Sequence, residues 1–213
     1  MTLKLVVFYG SVRSARQGIK AARYIVEQCK QRGHQVTLLD ADELQLPLLD
    51  KMYKEYGPGE APPTLQRMAD AIIPADAHIV VTGEYNHAPP PGLTNLLDHF
   101  LDEFFHRPSA IVCYSAGPFG GVRAAVSLRP MLAELGMSSI PSVLPISRVH
   151  KTFDAEGQLL DDAYARRAAK FLDELEWYAN ALRAAREADA AAAAADGRPR
   201  ASCEAKDAIK AKA

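Results

Sequence analysis

The sequence predicts an α/β protein built on a doubly wound parallel sheet. Five short apolar runs recur along the 213 residues, and amphipathic helical patterns lie between them. Runs that are apolar at nearly every position are typical of strands buried on both faces, as in a parallel sheet. Strands that alternate with helices in this way are joined by right-handed crossovers, which place helices on both faces of one sheet.

The predicted strands are the apolar runs themselves. The first is apolar throughout apart from Lys4, and the second follows a helix stop at Gly33-His34. Five strands favour the order 2-1-3-4-5, which is the flavodoxin-like arrangement. In that order a ligand is expected at the carboxyl ends of the strands, near the first strand-to-helix turn. The runs cover residues 3–9, 35–39, 77–82, 110–114 and 142–146.

Helical patterns fill the intervals between the strands. The first places four apolar residues on one face, and the last runs from about Asp161 toward Ala195. Other helices are expected over residues 64–73, 93–105 and 121–135. Prolines precede the second of these and suit a first helical turn, and Gly136 is a normal stop for the third.

The predicted helix over residues 93–105 is apolar on nearly all sides, which is more than one sheet face requires. Two interpretations follow. Either the helix is wholly buried in the chain's own core, or it forms a subunit interface that helps to enclose the ligand pocket. The side chains concerned are Leu96, Leu97, Phe100, Leu101, Phe104 and Phe105.

The length supports one domain with one sizeable core, which we place at residues 1–183. From residue 184 onward the sequence becomes rich in alanine and then charged, and Gly197-Arg198-Pro199 breaks any helix. Such a segment has little apolar surface to bury. We therefore expect residues 184–213 to form a disordered C-terminal tail.

Composition excludes several classes of function. The net charge is -1 and no basic stripe is present, so neither nucleic acid nor an anionic membrane is an expected partner. No apolar run approaches the roughly 20 residues that span a bilayer, and no signal segment opens the chain. Cys29, Cys113 and Cys203 are far apart and form no CxxC pair, and two of them fall in apolar helical or strand patterns, which indicates reduced packing residues of a cytoplasmic protein.

No metal site is expected, because the histidines lack the spacing of metal ligands. His99 and His106 lie seven residues apart on one predicted helix face. A solvated or interface position explains this pair better than a metal.

The turn after the first strand has the residue types of a phosphate monoester site. Residues 10–18 read Gly-Ser-Val-Arg-Ser-Ala-Arg-Gln-Gly and lead directly into a helix. The N–H groups of such a turn and helix start point at an anion, and Ser11, Arg13 and Arg16 can add hydrogen bonds. The spacing matches neither a P-loop nor a dinucleotide fingerprint. A polar loop with solvated arginines is the alternative.

Two further loops are expected beside this turn. One follows the third strand over residues 83–95 and offers an aromatic ring, an amide and several prolines. The other follows the fourth strand over residues 115–121 and is rich in small residues, so the backbone can closely approach a flat ligand. A phosphate at one end and a planar ring at the other is the shape of FMN.

These three segments resemble the NADPH-dependent FMN reductase family, whose members include quinone, azo-dye and chromate reductases. Residues 10–18 resemble its phosphate loop, and Glu84-Tyr85-Asn86-His87 followed by Pro90, Leu93 and Asn95 resembles its second motif. Residues 120–137 resemble its GGxRAxxxLRxxLxxLGM stretch. The chain departs from the family pattern at Gly83, Ala88, Thr94 and Pro118-Phe119. The resemblance covers roughly residues 3 to 180.

The resemblance implies roles for three sets of residues and no catalytic side chain, since the flavin carries the chemistry. Ser11, Arg13, Arg16, Gln17 and Gly18 would hold the FMN phosphate. Glu84, Tyr85, Asn86 and His87 would border the ring, and Ser115, Gly117, Phe119, Gly120 and Gly121 would line its other side. For Tyr85 ordinary packing is the alternative, and for His87 a solvated loop position. Phe119 either forms part of a lid or packs on the following helix.

The implied activity is hydride transfer from NADPH or NADH through FMN to a quinone, an azo compound, a metal oxyanion or free flavin. Both substrates would use one exposed flavin face in turn, which gives ping-pong kinetics. A homodimer or homotetramer is expected. The alternatives are a flavodoxin-type electron carrier and a redox-sensing FMN protein. Near-zero net charge and arginines in the phosphate turn argue against the carrier.

Overall fold

The computed structural model describes residues 1–196 and contains the predicted sheet. Five parallel strands lie in the order 2-1-3-4-5, which confirms the predicted fold class. The strands are β1 (Lys4–Tyr9), β2 (Gln35–Asp40), β3 (Ala77–Gly83), β4 (Pro108–Tyr114) and β5 (Ser138–Ile146). Every residue of β3 and β4 is buried, as continuously apolar central strands require.

Helices cover both faces of the sheet and enclose two hydrophobic cores. The core on one face is formed with α1 (Gly18–Gln31) and α7 (Asp162–Asp196). The core on the other is formed with α3 (Pro63–Ile72), α4 (Pro91–Asp98) and α5 (Val122–Glu134). Two single-turn helices, α2 (Ala41–Leu44) and α6 (Val149–Thr152), follow β2 and β5 at the carboxyl edge of the sheet.

The predicted helix over residues 93–105 is wrong beyond Asp98. The α4 helix starts two residues earlier, at Pro91, and a separate 3-10 turn covers Asp102–Phe104. Leu101 has φ -143° and ψ -73°, which no helix accepts. The His99 carbonyl accepts a hydrogen bond from the Tyr53 N–H at 2.8 Å instead of one from a next helical turn.

Because α4 ends before His99, that histidine and His106 share no helix face. The proposed subunit interface on this segment is also wrong for most of its members. Leu96, Leu97, Phe100 and Phe104 are buried in the chain's own core, which agrees with the alternative of a buried segment.

The C-terminal helix confirms the predicted span. Its 35 residues reach from Asp162 to Asp196, which corresponds to roughly 50 Å. The predicted disorder of the tail is therefore wrong for residues 184–196, which continue the helix, and residues 197–213 lie outside the described residues. Cys29 and Cys113 are buried free thiols, while Cys203 falls in the part that is not described.

Within residues 1–196 no helix is both long and apolar enough to cross a membrane. The same residues contain no group of three or more metal-ligating side chains placed to bind an ion.

Candidate active site

The carboxyl ends of β1, β3, β4 and β5 surround an open pocket of about 190 Å³. The loops after β1, β3 and β4 meet here, as the strand order predicted. The short segment after β5 joins them. The pocket is lined by Ser11, Arg13, Ala15, Arg16, Gln17, Gly83, Glu84, Tyr85, Tyr114, Ser115, Ala116, Val149 and His150.

The turn after β1 forms one end of the pocket. Ser11 is only 3% exposed, and its Oγ lies 3.3 Å from the hydroxyl of Tyr85 on the neighbouring loop. Arg13 is exposed and lines the pocket. Gln17 directly precedes α1, whose first N–H groups have no partner within the helix. The turn thus combines a hydroxyl, a cation and the donor end of a helix.

Gly18 determines how closely α1 approaches the pocket wall. A Cβ at this position would lie 2.0 Å from Cζ of Tyr114, which is far inside van der Waals contact. The Tyr114 hydroxyl in turn donates to that of Tyr9 at 3.4 Å. Burial raises the pKa of Tyr114 strongly, so the phenol is a neutral hydroxyl in the pocket wall.

Arg16 is held by two carboxylates of the β2 edge. Its guanidinium forms an ion pair with buried Asp40 and a second with Asp42 at 3.2 Å, and it donates to the Ser11 carbonyl at 3.3 Å. Burial lowers the pKa of Arg16, but the hydrogen bond and charge of Asp40 outweigh that effect and raise it. Arg16 lines the pocket with its charge already compensated inside the protein.

The loop after β3 contains a tight turn at residues 85–88. Tyr85 and Ala88 exchange backbone hydrogen bonds of 2.9 and 3.0 Å. Asn86 and His87 have φ of +52° and +66°, the pattern of a type I′ turn. Both side chains are exposed at the turn's tip, whereas Glu84 and Tyr85 line the pocket.

Glu84 connects this loop to the start of α5. Its carboxylate accepts from the Arg123 backbone N–H at 3.1 Å and from the Arg123 guanidinium at 3.3 Å. The same guanidinium lies 4.4 Å from the ring centroid of Phe119, which is 60% exposed. A negative charge at a helix N-terminus also interacts favourably with the helix dipole. Glu84 therefore positions α5 and, through Arg123, the Phe119 ring.

The loop after β4 is fixed by its own backbone. The Ser115 hydroxyl donates to the Gly117 carbonyl at 3.1 Å. Gly120 and Gly121 have φ of +66° and +79°, and a Cβ at Gly121 would lie 2.6 Å from the Tyr114 carbonyl oxygen. Only glycine accepts both the positive φ and the close approach of the Tyr114 backbone at position 121.

The structure brings seven of the predicted site residues into the pocket lining: Ser11, Arg13, Arg16, Gln17, Glu84, Tyr85 and Ser115. The remaining predicted residues lie outside that lining. Gly18, Asn86 and Gly117 directly follow a lining residue, whereas His87, Phe119, Gly120 and Gly121 lie further along the same loops.

Sequence analysis missed Tyr114, Val149 and His150. A signal was available for the last two, because β5 is parallel to its neighbours and its carboxyl end must reach the same edge of the sheet. Tyr114 carries no such signal, because in the sequence it is simply the last residue of an apolar strand.

The residues of the pocket fit an FMN molecule. The turn after β1 provides hydroxyl, cationic and backbone N–H donors for a phosphate. A Cβ at position 83 would lie 3.0 Å from the Tyr114 hydroxyl, so glycine at this position leaves room for that hydroxyl. The loops after β3 and β4 flank this end with exposed and half-buried groups. The fold belongs to the flavodoxin-like class of doubly wound α/β proteins, with the pocket at the carboxyl edge of its sheet.

Comparisons with known proteins specify the family. Residues 3–151 match the family of NADPH-dependent FMN reductases, which is more than half of the chain. The chain belongs to this family. It is an oxidoreductase whose cofactors are FMN and NAD(P)H, as the resemblance implied.

Individual relatives agree with this assignment. The chain is 35% identical over 128 residues to an NAD(P)H-dependent FMN reductase of Pseudomonas aeruginosa, covering 57% of this chain and 69% of the relative. It is 32% identical over 139 residues to a quinone reductase of Pseudomonas putida, covering 62% and 71%.

Among solved structures, the flavoenzyme NAD(P)H:(acceptor) oxidoreductase FerB of Paracoccus denitrificans superposes with a TM-score of 0.68 at 21% identity. The alignment covers 83% of this chain and 99% of that one. At this identity the likeness shows the fold.

Proposed function

We propose that this chain is an NAD(P)H-dependent reductase that holds FMN in the pocket described above and reduces quinone, azo, metal-oxyanion or flavin acceptors. Bound FMN supplies the redox chemistry, since it takes hydride from NAD(P)H and delivers electrons to the acceptor. The observation that carries the proposal is the meeting of three loops in one pocket, with Ser11 of the first only 3.3 Å from Tyr85 of the second.

The turn after β1 would bind the phosphate. Ser11 and the N–H groups at the start of α1 donate hydrogen bonds, and Arg13 contributes positive charge. Arg16 contributes through its ion pairs, which fix the turn against Asp40 and Asp42. Gln17 and Gly18 place the helix start at the pocket wall.

The other two loops would border the ring. On one side lie Glu84, Tyr85 and the type I′ turn with Asn86 and His87. On the other lie Ser115 and Gly117, with Phe119, Gly120 and Gly121 leading into α5. These residues orient the ring and leave one side of it accessible, so the nicotinamide and the acceptor use the same place in turn. The expected kinetics are ping-pong.

A homodimer or homotetramer would complete the enclosure of this open pocket. Large apolar side chains are exposed near it on the loop before α5 and on α5 itself, with Phe119 at 60% and Val126 at 70% exposure. Leu48 is 83% exposed on a loop that Asn95 of α4 holds through hydrogen bonds to Pro47 and Leu49. Burial of such side chains favours association. The buried free thiols Cys29 and Cys113 accord with a cytoplasmic location.

The first test is an absorption spectrum of the purified protein after addition of FMN and removal of the excess, followed by anaerobic NADPH. The flavin is expected to remain bound and to bleach within the mixing time. Initial rates with a quinone should then give parallel lines in double-reciprocal plots. Retained flavin that stays oxidised would instead support the electron carrier or redox sensor, and loss of all flavin would refute the site.

A pair of matched variants locates the phosphate. Arg13→Gln is expected to weaken FMN binding about 10-fold, because a charge-assisted hydrogen bond is lost. Arg23→Gln removes an exposed cation on α1 that does not line the pocket, and binding should stay near the wild-type value. Equal losses in both variants would show that general charge, rather than a contact at Arg13, attracts the phosphate.

A further inference from the structure

The segment after β5 contributes a histidine to the pocket for which neither the sequence nor the proposed mechanism provides a role. His150 lies on the single-turn helix α6 and lines the pocket together with Ser11, Arg13 and Gln17. These three residues belong to the turn that would hold the phosphate. His150 reaches the pocket from the end of a different strand, since α6 follows β5 and the turn follows β1.

The backbone around His150 is firmly held. The Val149 N–H donates to the Ser115 carbonyl at 3.1 Å, and the Arg148 N–H donates to the Gly117 carbonyl at 3.0 Å. The Thr152 hydroxyl donates to the Ser147 carbonyl at 2.9 Å. Beyond the turn, Lys20 of α1 donates to the Asp154 carbonyl at 2.6 Å. The α6 turn is therefore clamped between α1 and the loop after β4, which fixes the place of its histidine.

The charge balance at this end of the pocket calls for a further cation. A phosphate monoester carries close to two negative charges at neutral pH. Arg16 lines the pocket, but Asp40 and Asp42 already compensate its charge, and Glu84 is paired with Arg123. Arg13 is the remaining arginine of the lining. The lining also contains His150, whose imidazole can donate an N–H to a phosphate oxygen and, when protonated, adds a positive charge.

We propose that His150 binds the phosphate monoester of FMN, opposite Ser11 and Arg13, and so distinguishes FMN from flavins without a phosphate. This inference rests on the proposed function, since it assigns a ligand within the same site. The imidazole is a binding group here and takes no part in the redox step. Its neighbours on the same segment, Arg148 and Lys151, are exposed and do not line the pocket.

The experiment compares FMN with riboflavin, which has the same ring system and no phosphate. Dissociation constants are measured near neutral pH by quenching of flavin fluorescence for wild type, His150→Gln, His150→Arg and Lys151→Gln. His150→Gln should weaken FMN about 10-fold and leave riboflavin within about 2-fold, because only the phosphate contact is lost. His150→Arg should retain FMN binding, since the guanidinium also binds phosphate.

Lys151→Gln is the matched control, because it removes a positive charge one residue away without touching the pocket lining. FMN binding should stay near the wild-type value. Equal weakening of FMN by the Lys151 and His150 variants would overturn the proposal in favour of a general field effect. Equal weakening of FMN and riboflavin by His150→Gln would overturn it in favour of a ring contact or a structural role. Wild-type protein that binds no FMN would refute the proposed function instead.

Discussion

At the residue scale, Gly18 illustrates how one missing side chain sets the shape of the site. The phosphate turn ends where α1 begins, and the helix start lies directly against the Tyr114 ring. That ring lies in the pocket wall, and its hydroxyl lies beside Gly83 at the end of β3, while the backbone of Tyr114 lies beside Gly121. Side-chain volume added at Gly18 must therefore displace the ring of a residue that lies beside all three loops.

Gly18→Ala is expected to lower the free energy of unfolding by about 2 kcal/mol, because overpacking against a buried ring forces a shift of ring or helix. FMN binding should weaken in the same variant, since the shift moves the phosphate turn. Urea unfolding and flavin titration measure the two effects.

Gly117→Ala is the matched control for stability, because no atom lies within 4 Å of the added Cβ. Its free energy of unfolding should stay within about 0.5 kcal/mol of wild type. A loss at Gly117 as large as that at Gly18 would show that a backbone conformation unfavourable for alanine, and not contact with Tyr114, governs both positions.

Single residues also show where sequence reasoning stops. The hydroxyl, the two arginines and the helix start of the first turn were predictable, because local order alone brings them together. The pairing of Arg16 with Asp40 was not, since it joins residues 24 positions apart through the register of β1 with β2. His150 was missed for a similar reason, as its place depends on where the last strand ends.

At the scale of elements, the sequence located the central strands β1, β3 and β4 because a parallel strand covered on both faces is apolar almost throughout, whereas the edge strands β2 and β5 contain exposed residues and gave a weaker pattern. The sequence pattern predicted the wrong end for α4, because apolar residues continue beyond Asp98. There a tertiary hydrogen bond, from the Tyr53 N–H to the His99 carbonyl, takes the acceptor that a longer helix would have used. Hydrophobic pattern alone does not reveal such a competitor.

Helix α7 is joined to the amino edge of the sheet by one carboxylate. Asp76 accepts from the Lys4 backbone N–H at 2.9 Å and from Arg183 and Arg186 of α7 at 3.3 Å each. Arg186 also donates to the His106 carbonyl at 2.9 Å. These groups are largely buried, so their interactions are weakly screened by solvent.

Asp76→Asn is expected to lower the free energy of unfolding by about 3 kcal/mol, because it leaves two arginines without their common partner. Hydrogen exchange should also rise in the second half of α7. Asp173→Asn is the control: its side chain is 66% exposed and pairs with Arg32, so the loss should stay below about 1 kcal/mol. Similar losses in the two variants would show that the Asp76 cluster is no stronger than a surface ion pair.

At the scale of the whole molecule, one of the two cores contains a fully buried histidine without a hydrogen-bond partner among the described residues. His78 of β3 lies in the core beneath α3, α4 and α5, edge-on to the rings of Phe8 and Phe104. It is fully buried, and neither ring nitrogen has a hydrogen-bond partner. Burial lowers the pKa of His78 to about 3, and the nearby charges of Arg107 and Arg186 act in the same direction.

This buried imidazole makes stability fall with pH in a defined window. Above about pH 6.5, the ordinary pKa of histidine, His78 is neutral in both the folded and the unfolded chain. As pH falls from there toward 3, the unfolded chain binds a proton that the folded chain refuses, so the free energy of unfolding decreases. The slope from this one group reaches at most about 1.4 kcal/mol per pH unit.

His78→Leu removes the titrating group and its two unsatisfied nitrogens while keeping an apolar side chain between the aromatic rings. Between pH 7 and pH 4 the wild type is expected to lose about 3 kcal/mol more than this variant, which urea unfolding across that range measures. The variant should also be at least as stable at pH 7, because a buried polar group without partners is removed.

If the free energy of unfolding falls equally with pH in the wild type and in His78→Leu, other groups such as carboxylates determine acid unfolding. A smaller loss of stability on acidification in His78→Leu would show that the buried histidine of β3, which packs against two phenylalanine rings, makes this fold less tolerant of acid.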